Sequence, residues 1–230
     1  MLHSQLGMPP GIRAIIYDID NCLAPLSNDD ITIAWDPYLA TEFGLTLEEA
    51  IAKRKSHFEA VGCTLTGYAQ EYGRDKTWIN QVYADTGHAS GKRFVERYAV
   101  PPRKSELFDL IATKNVQQAF ITQGHPHHYD QIVNHLGVGK HVPQHLRIDR
   151  THTVYEKLED DVWHIMLQHL GLRPHEVIVF EDTPRNLNRP GALGIHTLKV
   201  GDRAEGTSAG NIHYRFETAL DGLEALYPHL

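Results

Sequence analysis

Asp18-Ile19-Asp20 places two carboxylates two residues apart, directly after the apolar run Ala14-Ile-Ile-Tyr17. In extended backbone, positions i and i+2 point the same way, so both acids would face one pocket. Like charges held that close repel, and one pKa rises unless a cation sits between them. Mg²⁺ suits such a site, being a hard ion that takes oxygen ligands from a few carboxylates plus water and phosphate. A second acidic pair, Glu181-Asp182, follows the apolar run 176–180, with Asn186 one turn later. The pair would complete a metal site, and Asn186 would hold a metal-bound water. Thr122 ends the apolar run 116–122 and offers a hydroxyl to an anionic oxygen. Lys157 precedes a helical pattern and would neutralise a carboxylate facing a phosphate. Each residue also has an ordinary structural reading. An Asp-x-Asp can lie in an exposed loop, a threonine can end any strand, and a lysine is usually solvated. Asp182 or Thr183 can cap a helix that has Pro184 near its first position.

Placement makes the set more specific. Apolar, β-branched runs predict strands at 13–18, 116–122, 176–180 and 195–200, with an edge strand at 212–216. Helical spacing lies between them, at 105–113 and at 161–170, where Val162, Trp163, Met166, Leu167 and Leu170 share a face ahead of Gly171. Alternating strands and helices imply a parallel sheet with helices on both faces, and ligands there bind beyond the carboxyl ends of the strands. Asp18, Asp20, Thr122 and Asp182 sit at those ends.

Residues 27–100 hold no convincing strand. Thr46-Leu-Glu-Glu49 is a capping box leading into Ala50, Ile51, Arg54 and Phe58 at helical spacing, with Gly62 as a stop. Further helices are expected at 64–72, 75–84 and 91–98, and Pro101-Pro102 ends the segment. The expected architecture is α/β: a doubly wound parallel sheet from residues 1–26 and 101–230, with a small all-helical cap, 27–100, inserted after the first strand.

Composition narrows the classes. Of the 230 residues, 41% are hydrophobic and 22% charged, which excludes wholesale disorder. A formal net charge of −7 argues against duplex nucleic acid as a partner. No apolar run approaches the roughly 18 residues of a membrane helix, and the first ten residues lack the charged and apolar regions of a secretion signal. Two cysteines, Cys22 and Cys63, fit a reducing cytoplasm better than a disulfide scaffold. Nothing in the sequence addresses oligomeric state.

The ordered series Asp-x-Asp, Thr, Lys, Glu-Asp resembles the haloacid dehalogenase (HAD) superfamily of aspartyl-phosphate hydrolases. The four motifs fall on Asp18-Ile-Asp20-Asn21, on Thr122, on Lys157 with Trp163, and on Glu181-Asp182-Thr-Pro-Arg-Asn186. The resemblance spans almost the whole chain, and the helical insert matches the cap position of the first cap class. A closer resemblance is to the pyrimidine 5′-nucleotidases of that superfamily, through Tyr17-Asp-Ile-Asp-Asn-Cys-Leu23 and through Val61-Gly-Cys-Thr-Leu-Thr-Gly67 in the insert. Gln123 stands where Asn is usual, Leu158 replaces a proline, and Pro190 interrupts the helix after the fourth motif. The resemblance implies Asp18 as nucleophile, Asp20 as general acid and base, and Thr122 and Lys157 as phosphate-binding groups. It implies Mg²⁺ held by Asp18, the Asp20 backbone carbonyl and Asp182, with Glu181 and Asn186 behind them. Substrate contacts are expected from Asn21, Gln123, Thr64 and Thr66, and the implied substrate is a small phosphorylated metabolite, a pyrimidine nucleoside 5′-monophosphate.

Several alternatives share parts of this pattern. A phosphomutase, or a phosphatase acting on sugar phosphates, would share the core and differ in the cap. A dehalogenase normally lacks the second acid, Asp20. A phospho-accepting receiver domain uses similar residues, but its acidic pair opens the series, and it has no helical insert. A catalytically dead binding protein would not need all four motifs. His125, His127 and His128 form a cluster that invites a zinc reading, but neither cysteine is near it and the carboxylates already supply a hard-ion site. Cys22 is read as a small packing residue, since no histidine is placed beside it.

Overall fold

The computed structural model describes residues 7–26, 30, 32, 34–61, 63–151, 157, 159–202 and 211–230. The first six residues, the expected stop at Gly62 and the Leu158 departure lie outside the described residues. In chain order the elements are β1 (Ala14–Tyr17), α1 (Trp35–Phe43), α2 (Leu47–Val61), α3 (Thr64–Tyr72), α4 (Lys76–Arg97), α5 (Pro102–Thr113), β2 (Gln117–Ile121), α6 (Pro126–Leu136), β3 (Arg147–Ile148), α7 (Asp160–Leu170), β4 (Val177–Glu181), α8 (Asn188–Ala192), β5 (His196–Val200), β6 (Tyr214–Phe216) and α9 (Ala219–Leu226), with short 3₁₀ turns between some of them. They divide into two compact units. One comprises Met1–Pro25, Ala99–Gln123 and Val133–Leu230, the other Leu26–Tyr98 and Gly124–Ile132.

The first unit is a parallel sheet in the order β3-β2-β1-β4-β5-β6. β1 sits between two partners, and all four of its side chains are buried. That is why its sequence is uniformly apolar rather than alternating. Tyr17 lies level with Phe120 on β2 and Phe180 on β4. Its ring meets Phe108 edge-on at 6.0 Å and packs near both phenylalanines, contacts worth about 0.5–1.5 kcal/mol per pair beyond area burial. The Tyr17 hydroxyl donates to Gln118 Oε1 at 3.1 Å, and Gln118 Nε2 donates to the Phe108 carbonyl at 3.3 Å, so this buried polar pair is hydrogen-bonded. Because the three central strands end together, the residues after them reach one edge of the sheet. β3 has two residues and pairs with the end of β2. It was not expected from the sequence, since two residues carry no periodicity.

The second unit is helical. Its Thr46 capping box forms as read: the Thr46 amide donates to Glu49 Oε2 at 2.8 Å, and the Glu49 amide donates to Thr46 Oγ1 at 3.2 Å. Buried Trp35, Leu39, Ala50, Leu65, Tyr68, Ile79 and Val82 form its core. Beneath them Arg54 Nε donates to Asp36 Oδ1 at 2.9 Å, both side chains buried. The sequence predicted separate helices at 75–84 and 91–98; the structure has one helix, α4. Gly87 and Gly91 lie within it as contact points. A Cβ at position 91 would lie 2.5 Å from the His128 carbonyl oxygen, so only glycine lets α4 come this close to residues 124–132. Ser90, between them, meets His128 Nδ1 at 2.7 Å.

Candidate active site

Asp18 is the first residue past β1 and is continued into the sheet by its amide, which donates to the Phe180 carbonyl at 2.9 Å. Glu181 ends β4, and Asp182 follows it. Their three carboxylates supply oxygens that all lie within 4.8 Å of one another, and all three residues are buried. Lys157 reaches this group from the connection that precedes α7. Its Nζ donates to Asp18 Oδ1 and to Glu181 Oε2, the latter at 2.7 Å. The backbone there is fixed by Trp163, whose Nε1 donates to the Lys157 carbonyl at 2.9 Å. This bond joins the lysine and the aromatic residue of the third motif, six positions apart.

Glu181 spends its other oxygen inward. Oε1 accepts the Asn186 side-chain amide at 3.0 Å and the Thr183 amide at 3.2 Å. With both oxygens engaged, Glu181 holds Lys157, and Asn186 holds Glu181. The resemblance places Glu181 and Asn186 behind Asp182, but the Glu181–Lys157 contact was not anticipated from the sequence. Thr183 Oγ1 donates to Asp182 Oδ1 at 3.1 Å, which orients the last acid of the cluster.

Asp20 lies in the turn after β1, half-buried. It forms an isolated bridge with Ala24, and the Ala24 amide donates to the Ile19 carbonyl at 2.8 Å. Asn21 takes a left-handed conformation there, φ 58°, which asparagine tolerates better than most residues. Asp20 adds to the negative field at Asp18. Thr122 is buried just past β2, and its amide donates to the Ile148 carbonyl at 3.0 Å. The Gln123 carbonyl accepts Arg150 Nε at 3.2 Å. Beside it Asp149, which the sequence did not single out, is buried at the end of β3 and accepts the Thr151 amide and hydroxyl at 2.7 and 2.6 Å.

Burial pushes the Asp18 carboxyl well above the usual carboxylate range, and Glu181 adds to this while Lys157 opposes it. Desolvation pulls the Lys157 ammonium down, but Asp18 and Glu181 more than offset it and hold it above its ordinary value. Three acids around one ammonium leave the cluster with excess negative charge. An all-oxygen donor set of that charge fits a hard divalent cation. Burial, then Asp18 and Glu181, raise the Cys22 thiol well above its usual range, so it stays protonated and unreactive.

The remaining candidates lie in the helical unit. Thr64 is buried at the start of α3, and its hydroxyl donates to the Arg54 carbonyl at 3.4 Å. Thr66 is half-buried. Gly67 lets the His57 ring approach, since a Cβ there would lie 2.5 Å from His57 Cβ. The His127 amide donates to His125 Nδ1 at 3.2 Å, and His127 Nδ1 lies 3.2 Å from the Ala84 carbonyl oxygen. Among the described residues, the group with metal-holding spacing is the Asp18, Glu181, Asp182 set.

A family profile described as haloacid dehalogenase-like hydrolase matches residues 12–188. The chain belongs to the haloacid dehalogenase-like hydrolases and is an enzyme of the phosphatase kind. It is similar to GMP/IMP nucleotidase YrfG of Escherichia coli (strain K12), 21% identical across 93% of this chain and 96% of that protein. Among solved structures it is similar in fold to a HAD phosphatase from Thermococcus onnurineus (TM-score 0.65, 15% identity, 94% of this chain and 98% of that one). A β-phosphoglucomutase from Clostridium difficile gives a TM-score of 0.61 at 15% identity, covering 94% and 97%. Among the described residues no helix is long and apolar enough to cross a membrane.

Proposed function

We propose that this chain is a Mg²⁺-dependent phosphomonoesterase that works through an aspartyl-phosphate on Asp18, with nucleoside 5′-monophosphates as its substrate class. The observation that carries the reading is the buried cluster of three carboxylates, two of them bonded to Lys157. Asp18 attacks the substrate phosphorus, and the bond from phosphorus to the leaving oxygen breaks as the new bond to the carboxylate forms. Asp20 gives its proton to the departing alkoxide, then takes one from the water that cleaves the aspartyl-phosphate and restores Asp18. Lys157 offsets the nucleophile's charge and, with Thr122, binds phosphoryl oxygens. Asp18, the Asp20 backbone carbonyl and Asp182 would hold the cation, which supplies charge neutralisation between carboxylate and phosphate. Glu181 and Asn186 keep Lys157 in place. Asn21 and Gln123, beside the phosphate-binding positions, would meet the ester.

Residues 27–100 act in this reading as the cap that selects the leaving group, because the core groups meet only phosphate and metal. The nucleotide class is supported by the sequence resemblance to pyrimidine 5′-nucleotidases and by the name of the Escherichia coli relative, which concerns GMP and IMP. Thr64 already bonds the Arg54 carbonyl, so the half-buried Thr66 is the stronger candidate of that pair to meet a nucleotide. The enzyme works on a soluble metabolite in the cytoplasm, consistent with the free thiols of Cys22 and Cys63. Phosphate release is measured on UMP, CMP, GMP, IMP, sugar phosphates and p-nitrophenyl phosphate, with Mg²⁺ and with excess chelator. Preferential release from the nucleotides that chelator abolishes is the expected result. Activity that persists in chelator removes the metal from the mechanism, and a flat substrate profile removes the nucleotide assignment. A phosphate-isomerised sugar product would instead support a mutase, the reading favoured by the fold likeness to β-phosphoglucomutase.

A further inference from the structure

Lys104 lies in the first turn of α5 and is 4% exposed. Lysine is rarely buried, and a cation at a helix N-terminus also opposes the helix dipole. The first turn of α5 holds no acid to offset it. Burial brings its ammonium down to about 8, with the neighbouring Cys22 opposing the shift. A residue placed at this cost needs a compensating contact, and the structure supplies one: Lys104 Nζ donates to the backbone carbonyl of Leu23.

Leu23 belongs to the turn that carries Asp20. Ile19, Cys22, Leu23 and Ala24 are buried, so a carbonyl in this turn needs a partner from the protein. β1 has ended at Tyr17, and the sheet ladder therefore does not hold Asp20. What holds it is the turn itself, through the Asp20–Ala24 bridge and the Ala24–Ile19 hydrogen bond, with Lys104 gripping the residue between. A charge-assisted hydrogen bond is about twice as strong as a neutral one. Arg103, next in sequence, spends its charge at the surface on Glu224 and Glu106, so the neighbouring cations have separate tasks.

We propose that Lys104 is a positioning residue that fixes the 19–24 turn and, through it, aims the Asp20 carboxyl at the leaving group. The proposal rests on the reading of Asp20 as the acid–base group. It predicts a loss that depends on how much the leaving group needs a proton. K104M keeps the length and removes the donor. It should lower kcat/KM at least about 10-fold on a nucleoside monophosphate, since small misplacements of a reacting group can cost about 10²-fold. On p-nitrophenyl phosphate, whose phenolate departs unprotonated, the loss should stay under about threefold, and in a D20N background K104M should cost nothing further. If K104M does not fold, K104Q, which keeps an N–H donor and loses the charge, is read by the same substrate ratio. Equal losses on both substrates, or losses that add in the D20N background, overturn the proposal and leave the acid–base reading intact. Full activity of D20N on the nucleotide overturns both.

Discussion

Charge is buried in both units of this molecule, in two different ways. In the helical unit Asp36 and Arg54 form an ion pair, 2.9 Å apart. In the sheet unit Asp18, Glu181 and Asp182 gather together, and the ammonium of Lys157 contacts the first two. A balanced pair with fork-like guanidinium geometry serves the fold: it ties α1 to α2. An acid-rich cluster is poorly stabilised by its own members, because each added carboxylate raises the cost of ionising the next. The ratio of acids to bases, rather than burial itself, separates a structural charge from one kept for chemistry.

The largest test of that distinction is Asp18→Asn. Turnover should fall by more than about 10⁴-fold, as removal of a nucleophile does elsewhere. In the absence of metal the variant should unfold at an equal or higher urea concentration, because one of the crowded negative charges is gone. A marked loss of stability would show that Asp18 is structural like Asp36. The opposite sign is expected of Arg54→Met. It leaves the buried Asp36 carboxylate without its guanidinium and should cost about 3–5 kcal/mol in urea unfolding, with much of this recovered when Asp36→Leu is added.

Two of the buried lysines, Lys157 and Lys104, extend the comparison. Lys157, between carboxylates, is held above its ordinary range, whereas Lys104 is brought down to about 8. Between about 8 and the lysine value of about 10.4, the unfolded chain binds a proton at position 104 that the folded chain has released. The Lys104 contribution to stability therefore rises as pH rises through that window, by at most about 1.4 kcal/mol per unit. Denaturant midpoints for wild type and K104M, measured at intervals across it, should diverge with wild type gaining. Parallel curves would remove the shift. The smallest effect is expected of Thr64→Val, about 1 kcal/mol for one long hydrogen bond, with the ratio of nucleotide to aryl-phosphate activity unchanged. Thr66→Val should instead lower that ratio.

Much of the sheet unit was legible because burial on both faces writes a strand as an unbroken apolar run, as in Ala14–Tyr17 and in Val177 to Phe180. The helices α6 and α9 were not picked out either, and three further elements escaped for separate reasons. Arg147–Ile148 is too short to carry a period. α1 was not anticipated; it holds Pro37 in its first turn, where the missing N–H costs nothing. In α4, two expected helices are one, and its Gly91 is required by a neighbour distant in sequence. The site followed the same rule. Residues that end strands, Asp18, Thr122, Glu181 and Asp182, could be picked out by position. Lys157 could be placed only through the order of the motifs, because a lysine before a helix looks solvated. Lys104 gave no signal, since Pro-Arg-Lys-Ser at a helix start is ordinary, and only the Leu23 carbonyl shows its use.

The tight seat of α4 on residues 124–132 bears on how this enzyme could have diversified. Exchange of caps between relatives is usually pictured as cutting one insert out of a linker and pasting in another. Here the helical unit has two pieces of chain, Leu26–Tyr98 and Gly124–Ile132, and the second begins two residues after Thr122. A graft of residues 27–100 alone would present Gly87, Ser90 and Gly91 to a foreign surface, and any foreign helix would have to meet the His128 backbone without a Cβ in the way. The heritable module is therefore discontinuous. Recombination that respects it must carry a stretch that begins two residues after Thr122, so whole-insert exchange is constrained, and stepwise substitution within the insert is the easier route.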